Sequence, residues 1–303
     1  MSKHHYRLKN ILNPRIWAVL IWIWLSENMH CFSSAFYLRV LFFLRNKRKL
    51  NLKNPQTFNE KINWLKLHVN ITPQCTMMVD KYGVRDYIKN KIGEEYLIPL
   101  LGVWNSFDEI NFDTLPNEFV LKTTHDSGGV VICRNKHKLN ISEARKTLTK
   151  HLHYNYYWYG REVPYRDVPP RIMAEKLMVD ESGTQLKDYK IFCFDGKPTI
   201  LFLASDRFSK GGVKFTYYDM DLKLLPIRSE GHERDLNPPV VPNWEKMKRL
   251  AGILSSGFPH LRVDFYNING QIYFGELTFH HDSGIVPIEP KEWDYKLGDM
   301  IKL

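Results

Sequence analysis

Two apolar runs lie near the start of the chain. Residues 16–25 (IWAVLIWIWL) are unbroken and carry three tryptophans, and residues 31–44 (CFSSAFYLRVLFFL) stop against the basic stretch RNKRKL. Ten helical residues rise about 15 Å against a hydrocarbon layer of roughly 30 Å, so neither run predicts a spanning helix. From residue 52 the pattern changes. In LKNPQTFNEKINWLKL, apolar positions 58, 62 and 65 recur at helical spacing behind Pro55 and Thr57, with Glu60 placed as in a capping box. Residues 79–92 predict another helix, and 96–101 begin an extended stretch. From Phe119 onward short β-type segments dominate: FVLK, VVIC, RIMAEKLM, YKIFCF, TILFLAS, TYYDMD, LRVDFYNI and QIYFGELTF. Helical connections fall at 142–157 and 243–258. Hairpin-linked strands with few helices predict an α+β body, not a doubly wound sheet.

Composition refines this reading. The length, 303 residues, suits about two domains with sizeable cores. Net charge is +10, yet residues 1–53 hold ten Lys and Arg against one acid, Glu27, so +9 of it sits there. Excess at one terminus is an address or contact patch rather than a nucleic-acid groove, and no nucleic-acid partner is expected. Short Trp-rich helices flanked by cations suit the membrane interface, where anionic lipid headgroups would be the partner. The expectation is a peripheral anchor on the cytoplasmic face of the membrane; packing of these helices on the body, or a dimer contact, is the alternative. Four scattered cysteines without a CxxC pair indicate neither a disulfide framework nor structural zinc, and point to a reducing, cytoplasmic compartment.

Candidate chemistry is densest near the C terminus. LRVDFY (261–266) and QIYFGELT (271–278) flank Asn269-Gly270, a hairpin signal that sets Asp264 and Glu276 on adjacent strands. Two carboxylates there suit Mg²⁺ that also holds phosphate oxygens, with Arg262 neutralising a transferring phosphoryl group; an ordinary surface ion pair is the plain alternative. Upstream, FVLKTTHDSGGVVIC (119–133) reads as a strand ending in Lys122, a polar loop with Ser127, Gly128 and Gly129, and a second strand. Glycine amides can wrap phosphate closely. Next come Glu175 in IMAEKLMV and Lys190 in KDYKIF, a second candidate phosphate cation.

In this order, these segments resemble the ATP-grasp ligases. LRVDFY and YFGELT are similar to segments of D-alanyl-D-alanine ligase. NPQTFNEKINWLKL, VDKYGVRDYI, YLIPLLGVW, HDSGG and DYKIFCFDGKP resemble more narrowly the TupA-like branch, associated with bacterial surface polysaccharide and teichuronopeptide synthesis. The resemblance, over roughly residues 50–303, implies an ATP-grasp fold in which two α+β subdomains clasp ATP, preceded by the basic, Trp-rich helical segment 1–52. Residues 53–118 would form an N-terminal α/β region, 119–178 the small subdomain, and 179–303 the C-terminal subdomain with the metal site. It implies Lys122 and Lys190 on ATP phosphates, the Ser127-Gly128-Gly129 loop closing over them, and Glu175 with the main chain of Lys176 and Leu177 at the adenine edge. It further implies Arg262 at the transferring phosphoryl group, and Asp264 and Glu276 on one or two Mg²⁺ ions. Thr278 stands where the family usually has asparagine, and its hydroxyl is a weaker metal ligand than an amide oxygen. The implied reaction activates a carboxylate, such as a uronic acid on an acidic glycan or its precursor, as an acyl phosphate, which an amino acid or other small amine then attacks.

Other features admit second readings. His280 and His281 can meet substrate or brace their loop. Arg161 and Arg166, within YNYYWYGREVPYR (154–166), can pair with acidic sugars while the aromatics stack on sugar rings, or belong to a packed helix end. Asp219-Met220-Asp221 is a DxD that a glycosyltransferase would use for a nucleotide sugar, and equally a turn between strands.

Overall fold

The computed structural model describes residues 13–180, 186–206, 212–237 and 239–303. Lys3, Arg7 and Lys9 of the basic N-terminal cluster lie outside the described residues. In chain order the helices are α1 (Pro14–Met29), α2 (Ser34–Asn46), α3 (Phe58–His68), α4 (Pro73–Val79), α5 (Val84–Lys91), α6 (Ile141–Leu152), α7 (Tyr157–Gly160), α8 (Trp244–Ser255) and α9 (Lys291–Asp299). The strands are β1 (Leu100–Trp104), β2 (Phe119–Thr123), β3 (Val130–Cys133), β4 (Ile172–Lys176), β5 (Asp188–Phe194), β6 (Lys197–Ser205), β7 (Lys214–Tyr218), β8 (His260–Ile268) and β9 (Gln271–Thr278). They divide between two compact units.

The first unit takes Met1–Leu44, Ile71–Arg85 and Ile98–Leu177. Its four-stranded antiparallel sheet runs β1-β4-β2-β3. Phe119 and Leu121 of β2 and Ile172 and Ala174 of β4 bury one face against Ala144 and Leu148 of α6. Strand alternation therefore turns Lys122 to the opposite face. The apolar N-terminal runs form α1 and α2, which pack on the 154–161 segment through Ser26 Oγ donating to the Trp158 carbonyl (2.8 Å) and the Tyr37 hydroxyl to the Tyr159 carbonyl (2.8 Å). Trp17, Ile21 and Trp24, spaced as one helical face, remain exposed. Among the described residues no helix is long and apolar enough to cross a membrane.

The second unit takes Arg45–Asn70, Asp86–Leu97 and Met178–Leu303. Its five-stranded antiparallel sheet runs β7-β6-β5-β8-β9. α3 carries the expected capping box between Thr57 and Glu60, and its Phe58, Ile62 and Leu65 are fully buried against Phe192, Phe202 and Leu297. Asn269 and Gly270 have φ of 50° and 87°, the left-handed pair a two-residue hairpin needs.

Two local expectations are corrected. Residues 79–92 are not one helix: α4, unread in the sequence, starts behind the cap Thr72 and ends at Val79, and α5 starts at Val84. Between them the Asp80 carboxylate accepts from the Tyr82 amide, a local bond that competes with helix. Residues 142–157 break after Leu152; α7 starts only at Tyr157, whose amide donates to Asn155 Oδ1 in a local turn. The extended stretch expected from 96–101 is present: a 3-10 turn ends at Tyr96, Leu97 is already extended, and β1 begins at Leu100, just after Pro99, which has no N–H to donate to a ladder.

Candidate active site

In the second unit the hairpin β8–β9 gathers one charged cluster. Arg262 and Asp264 sit two apart on β8, hence on one face, and their direct partners on β9 are Thr278 and Glu276. The register shifts at Asp264/Phe265, so Gly275 has no partner and Phe274 pairs with Phe265. A Cβ on Gly275 would stand 3.0 Å from the Asp264 carbonyl, which is why the bulged residue is glycine. Arg262 Nε donates to Asp264 Oδ1 (2.7 Å), and Nη2 to Asp264 Oδ2 (2.8 Å), Glu276 Oε1 (2.8 Å) and Thr278 Oγ1 (2.9 Å). From β5, Lys190 Nζ reaches Asp264 Oδ2 at 2.5 Å.

The electrostatics follow from that geometry. Burial alone would raise the Asp264 carboxyl, but Arg262 and Lys190 outweigh it and hold it at about 2. Burial opposes charge on Arg262, while Asp264 and Glu276 raise it. His281 Nδ1 accepts from Arg262 Nη1 at 2.9 Å, because a guanidinium only donates. His281 is therefore neutral; burial, with Arg262 adding to it against Asp282, brings it down to about 4. His280 pairs with Asn70 Oδ1 at 3.2 Å and is buried.

The loop that carries His281 is strained. Asp282, Ser283 and Gly284 have φ of 46°, 51° and 56°, a left-handed run that costs about 1–2 kcal/mol per non-glycine residue. The polar stripe of α3 holds it in place: Lys66 Nζ donates to the Ser283 carbonyl (2.6 Å), Asn63 Nδ2 to that of Gly284 (2.7 Å) and Asn59 Nδ2 to that of Val286 (2.8 Å). None of the three was marked as a site residue by the sequence. A polar spacing of 59, 63 and 66 beside the apolar 58, 62 and 65 was the only signal.

In the first unit, Lys122 Nζ lies 2.5 Å from Glu175 Oε2, and Arg85 Nη1 3.2 Å from Glu175 Oε1. The Glu175 carboxylate thus meets two cations, and the Lys176 amide donates to the Pro99 carbonyl at 3.0 Å. Leu177 follows directly after β4. Ser127, Gly128 and Gly129 join β2 to β3, with Gly128 at φ 110°. This loop is braced throughout: Asp126 accepts from Thr123 Oγ1 and pairs with His151 Nδ1, and Lys81 Nζ donates to the Asp126 carbonyl. The Lys81 amide donates to the Thr124 carbonyl (3.0 Å), and Arg171 Nη2 to Asp80 Oδ2 (2.5 Å). Asp80, Lys81 and Arg85 all come from DKYGVR, a segment whose spacing alone says nothing of these partners.

Arg161 is 1% exposed, its guanidinium 4.4 to 5.3 Å from the ring centres of Trp158, Tyr37 and Tyr157. Arg166 is exposed and paired with Asp167. Neither bonds to the Lys122–Glu175 pair. Asp219 Oδ1 accepts from the amides of Asp221 and Lys223, both at 2.9 Å, so the DxD closes its own turn.

Residues 60–302 match the TupA-like ATPgrasp family. The chain belongs to that family, and its fold is ATP-grasp. Among solved structures it is similar to D-alanine–D-alanine ligase from Bacillus anthracis complexed with ATP, at 17% identity over 75% of this chain and 65% of that one, TM-score 0.43. It is also similar to D-alanine–D-alanine ligase from Helicobacter pylori, at 14% over 82% and 70%, TM-score 0.41. L-amino acid ligase from Bacillus licheniformis follows, at 13% over 70% and 45%, TM-score 0.40. The chain thus spans just under two thirds of the first of these. A comparison with curated proteins finds no match.

The donors present fit Mg²⁺. Among the described residues no three His, Cys, Asp or Glu side chains cluster as a metal cage. Asp264 and Glu276 with the Thr278 hydroxyl are instead a hard-oxygen set of the kind Mg²⁺ uses together with substrate phosphates.

Proposed function

We propose that the protein is an ATP- and Mg²⁺-dependent carboxylate–amine ligase of bacterial surface-polysaccharide synthesis. The observation that carries this reading is the hairpin in which Arg262 bonds Asp264, Glu276 and Thr278 together while Lys190 completes the Asp264 contacts. In the reaction a substrate carboxylate oxygen attacks the γ-phosphorus of ATP and ADP leaves. An amine nitrogen then attacks the acyl carbon, phosphate leaves and the amine loses a proton. Mg²⁺, when bound, supplies Lewis-acid charge to the phosphate oxygens. Asp264 and Glu276 would hold it, and Arg262 and Lys190 would offset the negative charge of the phosphoryl group in flight. In the first unit, Lys122 and the Ser127–Gly129 loop are assigned to the nucleotide. The glycan carboxylate, a uronic acid, and an amino acid or small amine complete the reading.

The exposed Trp17, Ile21 and Trp24 support peripheral attachment of α1 to the cytoplasmic face of the membrane. Flotation with anionic liposomes tests this, and loss of flotation in Trp17→Ser/Trp24→Ser is expected.

The catalytic reading is tested by thermal unfolding with ATP and Mg²⁺, since a ligand that binds only the native state raises the melting temperature. The wild type should be stabilised, with the shift lost in Lys122→Ala and in Glu276→Ala. An unchanged shift in both variants would remove the site assignment.

A further inference from the structure

The basic stretch RNKRKL does not all serve as a surface patch. Arg45 pairs with Glu230, and Arg48 with Glu60 (2.7 Å) and Asp294 (2.7 Å). Lys47 between them is turned outward by a left-handed backbone, φ 57°, and stands on the wall of a cavity of about 630 Å³. This cavity lies wholly within the second unit. Its charged lining is Lys47, Arg48, Arg228, Lys291, Glu289 and Asp294; its apolar lining is three prolines and Ile288. With Arg48 committed to its two carboxylates, the remaining charges are three cations and Glu289. Among the described residues the side chains of Lys47 and Arg228 make no hydrogen bond or ion pair. Arg228 is nonetheless fixed in place, its amide donating to the Glu289 carbonyl at 2.7 Å.

A narrow crevice of about 20 Å³ shares Arg228, Pro287 and Ile288 with the cavity and reaches His281 and Asp282. His281 is the side chain bonded to Arg262. His281 thus both lines the crevice that opens beside the cavity and bonds the charged cluster at Arg262.

We infer that this cavity binds an acidic saccharide, with Lys47, Arg228 and Lys291 taking its carboxylates. The volume lies in the range of small-molecule sites. A lining that mixes exposed cations with apolar side chains matches an acidic pyranose, which has a C–H face and a carboxylate at its edge. A purely apolar ligand would leave the cations unused, and a bare phosphate would leave the apolar side chains unused. The inference rests on the ligase reading for its substrate class and on the cavity for its place.

The test is calorimetric titration of the full chain with oligogalacturonate, its fully methyl-esterified form, and inorganic phosphate. A parallel thermal shift with ATP and Mg²⁺ reports on the ligase reading separately. Oligogalacturonate should bind the wild type, at least tenfold more weakly Arg228→Glu/Lys291→Glu, and the ester should not bind. Should the reversal variant unfold, Arg228→Gln/Lys291→Gln replaces it with the same expectation. No binding to the wild type, equal binding to wild type and variant, or equal binding of ester or phosphate overturns the cavity assignment. An ATP shift that persists alongside such a result leaves the ligase reading standing. Saccharide binding without any ATP shift sinks the ligase reading and keeps the cavity.

Discussion

Lys66, fully buried on α3, donates its ammonium to the carbonyl of Ser283 at 2.6 Å across 217 positions of sequence. A hydrogen bond from a charged group contributes about 1.5–3 kcal/mol, and its loss leaves a buried carbonyl short of a donor. Lys66→Met should therefore lower unfolding free energy by about 2–3 kcal/mol in urea titration. A loss below about 0.5 kcal/mol, the level of an ordinary surface change, would show that α3 does not hold the loop.

Arg262 makes five hydrogen bonds, to both oxygens of Asp264, to Glu276, to Thr278 and to His281. A lysine keeps the charge but not the planar fork. Arg262→Lys should lose about 2–3 kcal/mol of stability, because Asp264 is left with fewer charged donors in a buried place. ADP release with any competent substrate pair should fall about 10²–10³-fold, as for loss of a preorganised charge donor. Wild-type rates in this variant would remove Arg262 from the transfer step.

Acid should destabilise the protein in two stages. His281 has its pKa depressed from 6.5 to about 4, so its contribution is full above 6.5 and is lost as pH falls through 4. Asp264 is depressed from 3.8 to about 2, so its contribution is full above 3.8 and fades toward 2. Each shift corresponds to roughly 2–3 kcal/mol at most. The urea midpoint should be level from pH 8 to 7, decline from about 6.5 to 4, and decline again below. His260, fully buried and lowered to about 3 mainly by burial, contributes with the same sign over the same window, so a first decline that is shallower but not abolished in His281→Gln assigns His281 its share.

A methyl on Gly129 would sit 2.0 Å from Thr123 Oγ1 and 2.9 Å from His151 Cβ. The Thr123 hydroxyl is bonded to Asp126 and cannot swing away without loss. Gly129→Ala should lower the melting temperature and shrink the stabilisation by ATP and Mg²⁺. An unchanged ATP shift would detach this loop from nucleotide binding.

What the sequence reveals is what is local in it. The Asn269-Gly270 turn and the i, i+2 spacing of Arg262 and Asp264 suffice to place the carboxylates side by side, and the Thr57/Glu60 capping box marks the start of α3. Lys122 at the end of β2, ahead of a glycine loop, is legible for the same reason. Arg85, Asn59, Asn63 and Lys66 are not, since their partners lie 90 to 227 positions away and no spacing encodes such a meeting. Motifs such as DKYGVR and TFNEKINWLK are braces whose purpose shows only in three dimensions.

Gly275 gives β9 two parities. Toward the turn its even positions, Ile272 and Phe274, face the core; beyond the bulge its even positions, Glu276 and Thr278, face Arg262. One unpaired glycine therefore lets a single strand serve as wall in its first half and as instrument in its second. Were Gly275 to pair in strict alternation instead of bulging, all four even positions would share one face, and the strand would have to bring Phe274 out among the charges or drive Glu276 and Thr278 into the apolar interior.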